Sequence, residues 1–226
     1  MPNLYSEVPP VVKKFSGGKA CQYKKRESAQ EAKEEFEKER VSNLKLSKTS
    51  SKSIGRPTAL NTVSLLKYCT KNFGMSSHNA MGIAERLYLQ GFLTYPRTET
   101  TSYPKNFDFK YLVQNLAGYS DSRISNFAKN LLTKGKMNPK KGKDHGDHPP
   151  ITPTSNIPSN LSGVDGLIYE YVSSHFLASI ASDTKYQEKT YSCTLGKINL
   201  SFSEKKLIEP GFKEISKNVS WRNEYM

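Results

Sequence analysis

The sequence predicts an α+β fold in which a mainly helical block, carrying a helix-turn-helix-like unit, is inserted into a mainly β part. Three patterns carry that expectation: paired, capped helical periodicities between residues 58 and 91, a long apolar stripe over 163–182, and alternation of apolar and polar residues from Lys189 onward. Thirteen Tyr and 10 Phe in 226 residues supply bulk for a core. A chain of this length holds one fair-sized domain or two modest ones. The implied division is 1–55 for a β part with a charged helix and linker, 56–182 for the helical domain and 183–226 for returning strands.

The elements follow in order. Ser28 can cap AQEAKEEFEKER, whose Glu34 and Lys38 pair at i,i+4 spacing. With Phe36 almost its only apolar residue, that helix is a solvated one. In VSNLKLSKT, Val41, Leu44 and Leu46 alternate imperfectly, as a strand would; SKTSSKSIGRP reads as a linker ended by Pro57. Thr58 can cap ALNTVSLLKYCTKN, with Gly74 placed for a left-handed stop. Ser76 or Ser77 can cap a second helix, in which Ala80, Ile83, Ala84, Leu87 and Tyr88 form one stripe ended by Gly91. Two short helices across a glycine turn suit a helix-turn-helix, a DNA-binding device that is also a common way to pack a helical core. Residues after Gly91 read as loop-rich until GVDGLIYEYVSSHFLASIAS, where Leu167, Ile168, Tyr171, Val172, Phe176 and Ile180 share an amphipathic face. Tyr191, Cys193 and Leu195, then Ile198, Leu200 and Phe202, alternate about Gly196 as a half-buried antiparallel hairpin, and Pro210-Gly211 marks another turn.

Charge and composition bound the function. Thirty-four Lys+Arg against 21 Asp+Glu leave a formal charge of +13. That balance favours a polyanionic partner, because each phosphate neutralised releases counterions. Mean hydropathy is −0.66, and no run of about 18 apolar residues exists, which excludes a membrane-spanning helix. MPNLYSEVPPVVKK lacks the pattern of a signal peptide. Cys21, Cys69 and Cys193 are far apart, without C-x-x-C, and read as reduced thiols of an intracellular protein.

Chemistry concentrates in Leu93-Thr-Tyr-Pro-Arg-Thr-Glu-Thr-Thr101. In extended backbone the period of two puts Tyr95, Arg97 and Glu99 on one face. Pro96 stiffens the presentation and keeps Tyr95 out of the helical region. A phenol beside a guanidinium suits phosphoryl transfer to protein: the hydroxyl is the nucleophile and the Arg forks onto non-bridging oxygens. Packing of a Tyr and an Arg at a strand start is the plainer alternative on pattern alone. Further on, Asp144-His-Gly-Asp-His-Pro-Pro-Ile-Thr-Pro153 holds His148 on a proline-stiffened loop, able to touch a phosphate or relay a proton. No third His or Cys supports a metal at His145 and His148, so no metal ligands are assigned. Lys129, Lys134, Lys136, Lys140, Lys141 and Lys143 fall within 15 residues free of acids, and of these Lys140, Lys141 and Lys143 are the candidate backbone contacts. Tyr103, Phe107, Phe109 and Tyr111 are candidates for stacking on bases or for core packing.

At these residues the chain meets a family. GFLTYPRTETTSYP resembles the active-site segment of type IA DNA topoisomerases, in which an arginine follows the nucleophilic tyrosine by two residues. RPTALNTVSLLKYC and AMGIAERLYLQ resemble the helices leading into it, and GDHPPITPT its downstream histidine loop. Asp-His-Pro-Pro-Ile-Thr-Pro resembles the beta type of eukaryotic topoisomerase III rather than the alpha type. Similarity is firm over about 56–180 and looser to Gly211-Phe212.

The resemblance implies that Tyr95 attacks a single-strand phosphate to give a 5′-phosphotyrosine, that Arg97 positions that phosphate and that His148 touches the backbone nearby. It also implies a helical catalytic domain inserted into a discontinuous antiparallel β arch, strand passage through a gate, and a nuclear location. The expected partner is single-stranded DNA, with RNA as an alternative and an accessory protein beside the full-length enzyme. Glu99, on the same face, is expected to orient Arg97. Family members also carry a Toprim domain whose Asp-x-Asp cluster binds Mg2+; these 226 residues contain no Asp-x-Asp. The chain therefore reads as a central piece that binds no metal itself and does not relax DNA alone. A non-catalytic nucleic-acid-binding module derived from that family is the alternative.

Overall fold

The computed structural model describes residues 42–135, 137–195 and 198–216. The charged helix expected over 29–40, Cys21 and Lys136 lie outside the described residues. The elements are β1 (Ser42–Ile54), α1 (Thr62–Phe73), α2 (Ser77–Leu89), α3 (Phe109–Leu116), α4 (Ser122–Lys134), α5 (Gly163–Ile180), β2 (Thr184–Leu195) and β3 (Ile198–Glu209), followed by a 3-10 turn at Gly211–Glu214. The order of helices and strands is that of an α+β fold. Two compact units divide the described chain, one of 42–52 with 186–208 and one of 53–185 with 209–216.

The first unit is a three-stranded sheet in the order β1-β2-β3. Ser47 Oγ donates to Ser192 Oγ at 2.5 Å, and Lys52 pairs with Glu188, so β1 and β2 run antiparallel although most of the second unit separates them in sequence. Tyr191 stacks on Phe202 with ring centroids 5.1 Å apart, the hairpin that the alternation predicted. The linker expected over 47–57 is corrected: Ser47–Ile54 continues β1. Residues 47–53 are all Ser, Thr or Lys and so carry no apolar alternation, and even Leu44 and Leu46 earlier in the strand are exposed. Ladder pairing, not burial, makes this a strand.

The second unit is built around α5. Amphipathicity was expected there, but Ile168, Tyr169, Val172, Phe176, Leu177 and Ile180 are all buried, with Ser173, Ser174 and Ser179 on other sides. A helix buried round most of its circumference is a central one. Leu167, expected in the core, is exposed. α2 and α4 pack against α5, and α1 packs on α2.

α1 starts later than expected. Asn61, not Thr58, caps it by accepting from Ser64 N at 3.0 Å, and Leu60 instead forms a bridge with Ile151. Gly74 takes the left-handed conformation at φ 66°. Ser76 caps α2; Ala80, Ala84 and Leu87 are buried as expected, while Tyr88 stays outside. The loop-rich middle is also corrected. Asp108 caps α3 and Asp121 caps α4, two amphipathic helices that bury Leu112, Val113 and Leu116, and Ile124, Phe127, Ala128 and Leu131, at helical spacing. Tyr103, Phe107 and Phe109 cluster on Phe176, with Tyr103 Oη 2.7 Å from Ser179 Oγ, so they belong to the core and not to a base-stacking surface. Cys69 and Cys193 are free and buried. Burial pushes the Cys69 thiol up to about 11.

Candidate active site

Tyr95 sits on the segment that leaves α2. That segment forms no regular strand, its backbone bonding in turn to α1 and to two ends of the histidine loop, yet it keeps the alternation the sequence predicted. Pro96, Thr98 and Thr100 are buried while Arg97 and Glu99 are exposed and Tyr95 is half-buried. The inward side is fixed by α1: Thr62 Oγ1 donates to Pro96 O at 2.6 Å and accepts from Thr98 N at 2.8 Å, and Thr62 N donates to Thr98 O at 3.0 Å.

The histidine loop lies alongside. Leu93 and Pro153 form an antiparallel bridge. Thr94 N donates to Thr152 O at 2.9 Å, and Thr94 Oγ1 donates to Pro150 O at 3.0 Å. At the other end Thr101 N donates to Lys143 O at 2.8 Å and Lys143 N donates back to Thr101 Oγ1 at 3.0 Å. Gly142 makes that approach possible: a Cβ there would lie 1.8 Å from Thr101 O. Between these ends Asp147 reaches across. Its Oδ1 accepts from Thr100 Oγ1 at 2.5 Å and its Oδ2 from Glu99 N at 2.7 Å. The Thr100 hydroxyl above all, then the Glu99 N–H, holds the Asp147 carboxyl down at about 2.

The result is that residues 53 positions apart meet. The Tyr95 and His148 rings stand edge to face with centroids 4.5 Å apart, and Tyr88 of α2 covers Tyr95 from another side at 5.2 Å. The Tyr95 hydroxyl makes no hydrogen bond among the described residues. One turn before Tyr88 on the same helix, Glu85 Oε1 accepts from Arg97 Nε at 2.7 Å. Glu85 and Tyr88 are thus spaced i,i+3 to hold Arg97 and Tyr95 respectively. The expectation that Glu99 orients Arg97 is corrected: the Glu99 carboxylate lies 3.8 Å from His145 Nδ1, and Glu85 takes the guanidinium.

The lysines separate. Lys141 and Lys143 are exposed on the histidine loop, whereas Lys140 lies beside Gly55 and adds positive potential at Asp183. Asp183 is held below the usual carboxylate range chiefly by the Arg56 N–H, and the Arg56 guanidinium donates to it at 2.6 Å. A cavity of about 400 Å³ elsewhere in this unit is lined by Tyr68, Tyr171, His175 and Phe212 and by no predicted site residue.

A divalent ion finds no seat in this constellation. Among the described residues no group of three or more His, Cys, Asp or Glu converges. Glu85 is spent on Arg97, and Asp147 on Glu99 N–H and Thr100.

Comparison with known proteins decides the family. The family model described as DNA topoisomerase matches residues 9–225. The chain belongs to the type IA DNA topoisomerases. It is 45 % identical to DNA topoisomerase 3-beta-1 of Mus musculus over 161 residues, 71 % of this chain and 18 % of that protein. It is 40 % identical to the Homo sapiens protein of the same name over 178 residues, 78 % of this chain and 20 % of that protein. The chain thus spans about a fifth of the length of these relatives. Both are of the beta type that the Asp147-His148-Pro149 wording favoured. The fold is similar to that of full-length topoisomerase I from Thermotoga maritima, with a TM-score of 0.61 and 21 % identity, covering 90 % of this chain and 33 % of that one. Among the described residues, no helix is long and apolar enough to cross a membrane.

Proposed function

We propose that this chain carries the cleavage residues of an enzyme that cuts and rejoins single DNA strands. The observation that supports this is the pairing of Tyr95, with its hydroxyl unengaged, and His148, on two segments locked side by side. Tyr95 Oη attacks the phosphorus of a backbone linkage; the Oη–P bond forms as the P–O3′ bond breaks. A 5′-phosphotyrosine and a 3′ hydroxyl result. The phenol gives up one proton and the departing oxygen takes one, so the step consumes none overall. Because a phenolate leaves more readily than a sugar alkoxide, the 3′ hydroxyl can reverse the step without a nucleotide cofactor.

Arg97 exchanges Glu85 for the non-bridging oxygens, where charge builds in the transition state. His148 meets the backbone next to the scissile linkage, and Lys141 and Lys143 steer the strand electrostatically, with Lys140 contributing from its place near Asp183. Between cleavage and rejoining, a second strand passes through a gate in the β arch. The Mg2+ of the complete enzyme, in this proposal, is held by an acidic Toprim domain and not by the residues described here. A nuclear location, RNA as a second substrate and an accessory protein partner belong to the same reading.

The test is a denaturing gel of labelled single-stranded oligonucleotide incubated with the chain, with and without a separately supplied Toprim domain. A covalent adduct that is lost in Tyr95→Phe is the expected outcome. Salt-sensitive binding with no adduct under either condition would overturn it in favour of a non-catalytic binding module, and absence of binding even at low salt would remove both.

A further inference from the structure

We propose that Asp147 is a positioning residue that sets the distance between the Tyr95–Arg97 segment and His148; the inference rests on the cleavage reading above. The carboxylate is joined to the segment's far side through a small directional network. His145 N donates to Thr100 Oγ1 at 3.0 Å, and that hydroxyl donates onward to Asp147 Oδ1. Thr100 N donates to Thr98 Oγ1 at 3.1 Å, and that hydroxyl donates to His148 O at 2.5 Å, with Asp147 Oδ1 a further 3.2 Å contact. Glu99 N closes the set on Asp147 Oδ2. Each hydroxyl has one proton to give and takes one N–H in return: Thr100 Oγ1 gives its proton to Asp147 Oδ1, and Thr98 Oγ1 gives its own to His148 O.

Thr100 is 3 % exposed, so loss of the carboxylate deprives its hydroxyl of the acceptor it uses, whereas the equally buried Thr98 keeps His148 O. Asp147 itself is exposed and touches neither the Tyr95 nor the His148 ring among the described contacts. Its effect therefore travels through the backbone: one residue C-terminal to Asp147 is His148, and Arg97 precedes Thr98 directly. If the clamp opens, the two rings and the guanidinium lose their common reference. Displacements of about 1 Å at reacting groups cost on the order of 100-fold in rate.

The experiment compares Asp147→Ala and Asp147→Asn with the unaltered chain in three readouts. The adduct rate, under whichever condition gives adduct, should fall roughly 10- to 100-fold in the Ala variant. It should fall less in the Asn variant, which keeps an acceptor for Thr100 but turns an N–H2 toward Glu99 N. Oligonucleotide affinity should not fall in either variant, because no phosphate contact is removed and the Ala and Asn variants both lose a negative charge beside His148. Nuclear Overhauser contacts between the Tyr95 and His148 ring protons should weaken in the same order. Adding Thr100→Val to Asp147→Ala should cost little more, since both open one clamp. Unchanged ring contacts in Asp147→Ala, or losses of adduct and of affinity in equal proportion, would overturn the proposal. The ring contacts need no chemistry, so a chain that forms no adduct at all sinks the cleavage reading and leaves this one to be decided by the spectra.

Discussion

Gly142→Ala is the perturbation the structure speaks to most sharply. The glycine is not needed for an unusual backbone angle but for space. A Cβ would stand 1.8 Å from Thr101 O, 2.3 Å from Thr101 C and 2.9 Å from Ser102 N, all backbone atoms that cannot rotate away. Ordinary contact begins at 3.4 Å, so the histidine loop and the tyrosine segment must part by about 1.6 Å, the gap between the two distances. That opening removes the Thr101 N to Lys143 O bond and the Lys143 N to Thr101 Oγ1 bond. At a net ~0.5–1.5 kcal/mol each, the loss is about 1–3 kcal/mol. For a chain of this size that corresponds to a fall in Tm of roughly 2–12 °C. The same displacement enters the Tyr95–His148 spacing six residues away along both segments, so adduct formation should drop more steeply than stability. Differential scanning calorimetry with the oligonucleotide gel measures both. A Gly142→Ala chain with unchanged Tm and full adduct yield would refute the idea that close backbone contact aligns the site.

Two other expectations are independent of that one. His175 Nε2 donates to Thr58 O at 2.9 Å in a buried place that lowers its pKa, so the folded state resists protonation. Its contribution to stability is present above the unfolded pKa of about 6.5 and declines as pH falls below it, by at most ~1.4 kcal/mol per unit. Urea unfolding at pH 7.5, 6.5 and 5.5 should show that decline flattened in His175→Gln; an identical slope in the variant contradicts it. Glu85→Ala should alter stability by less than about 1 kcal/mol, because the pair it forms with Arg97 is 57 % and 37 % exposed. Removing that carboxylate should instead raise single-strand affinity at low salt by roughly two- to fivefold, read by fluorescence anisotropy; weaker binding would contradict the competition between Glu85 and phosphate.

What could be read from the sequence was what depends on local spacing. The Ser76 and Gly74 boundaries, the 191–202 hairpin and the exposed alternation of Arg97 and Glu99 all follow from neighbours within a few residues. What could not be read depends on partners far along the chain. β1 looks like a linker until β2 arrives some 140 residues later to pair with it. α3 and α4 are the exception, since Asp108 and Asp121 were available as caps and Ile124, Phe127, Ala128 and Leu131 recur at helical spacing, so both helices were legible in the sequence. The charged neighbour of Arg97 was sought on its own face at Glu99, whereas helix geometry brings Glu85 there. Asp147 stood in the quoted histidine loop, yet nothing in the sequence says that its carboxylate turns back toward Thr98 and Thr100. Gly142 likewise needs the position of Thr101 before its role is visible.

The central claim is that the Tyr95 hydroxyl becomes bonded to a nucleic-acid phosphate. Trapping the product from a labelled oligonucleotide, trimming it with nuclease and sequencing the peptide by mass spectrometry tests this directly. The account predicts a phosphate-linked nucleotide on Tyr95, attached through the 5′ side of the cut. A nucleotide on another residue, a 3′ linkage, or an unmodified Tyr95 peptide throughout would contradict it.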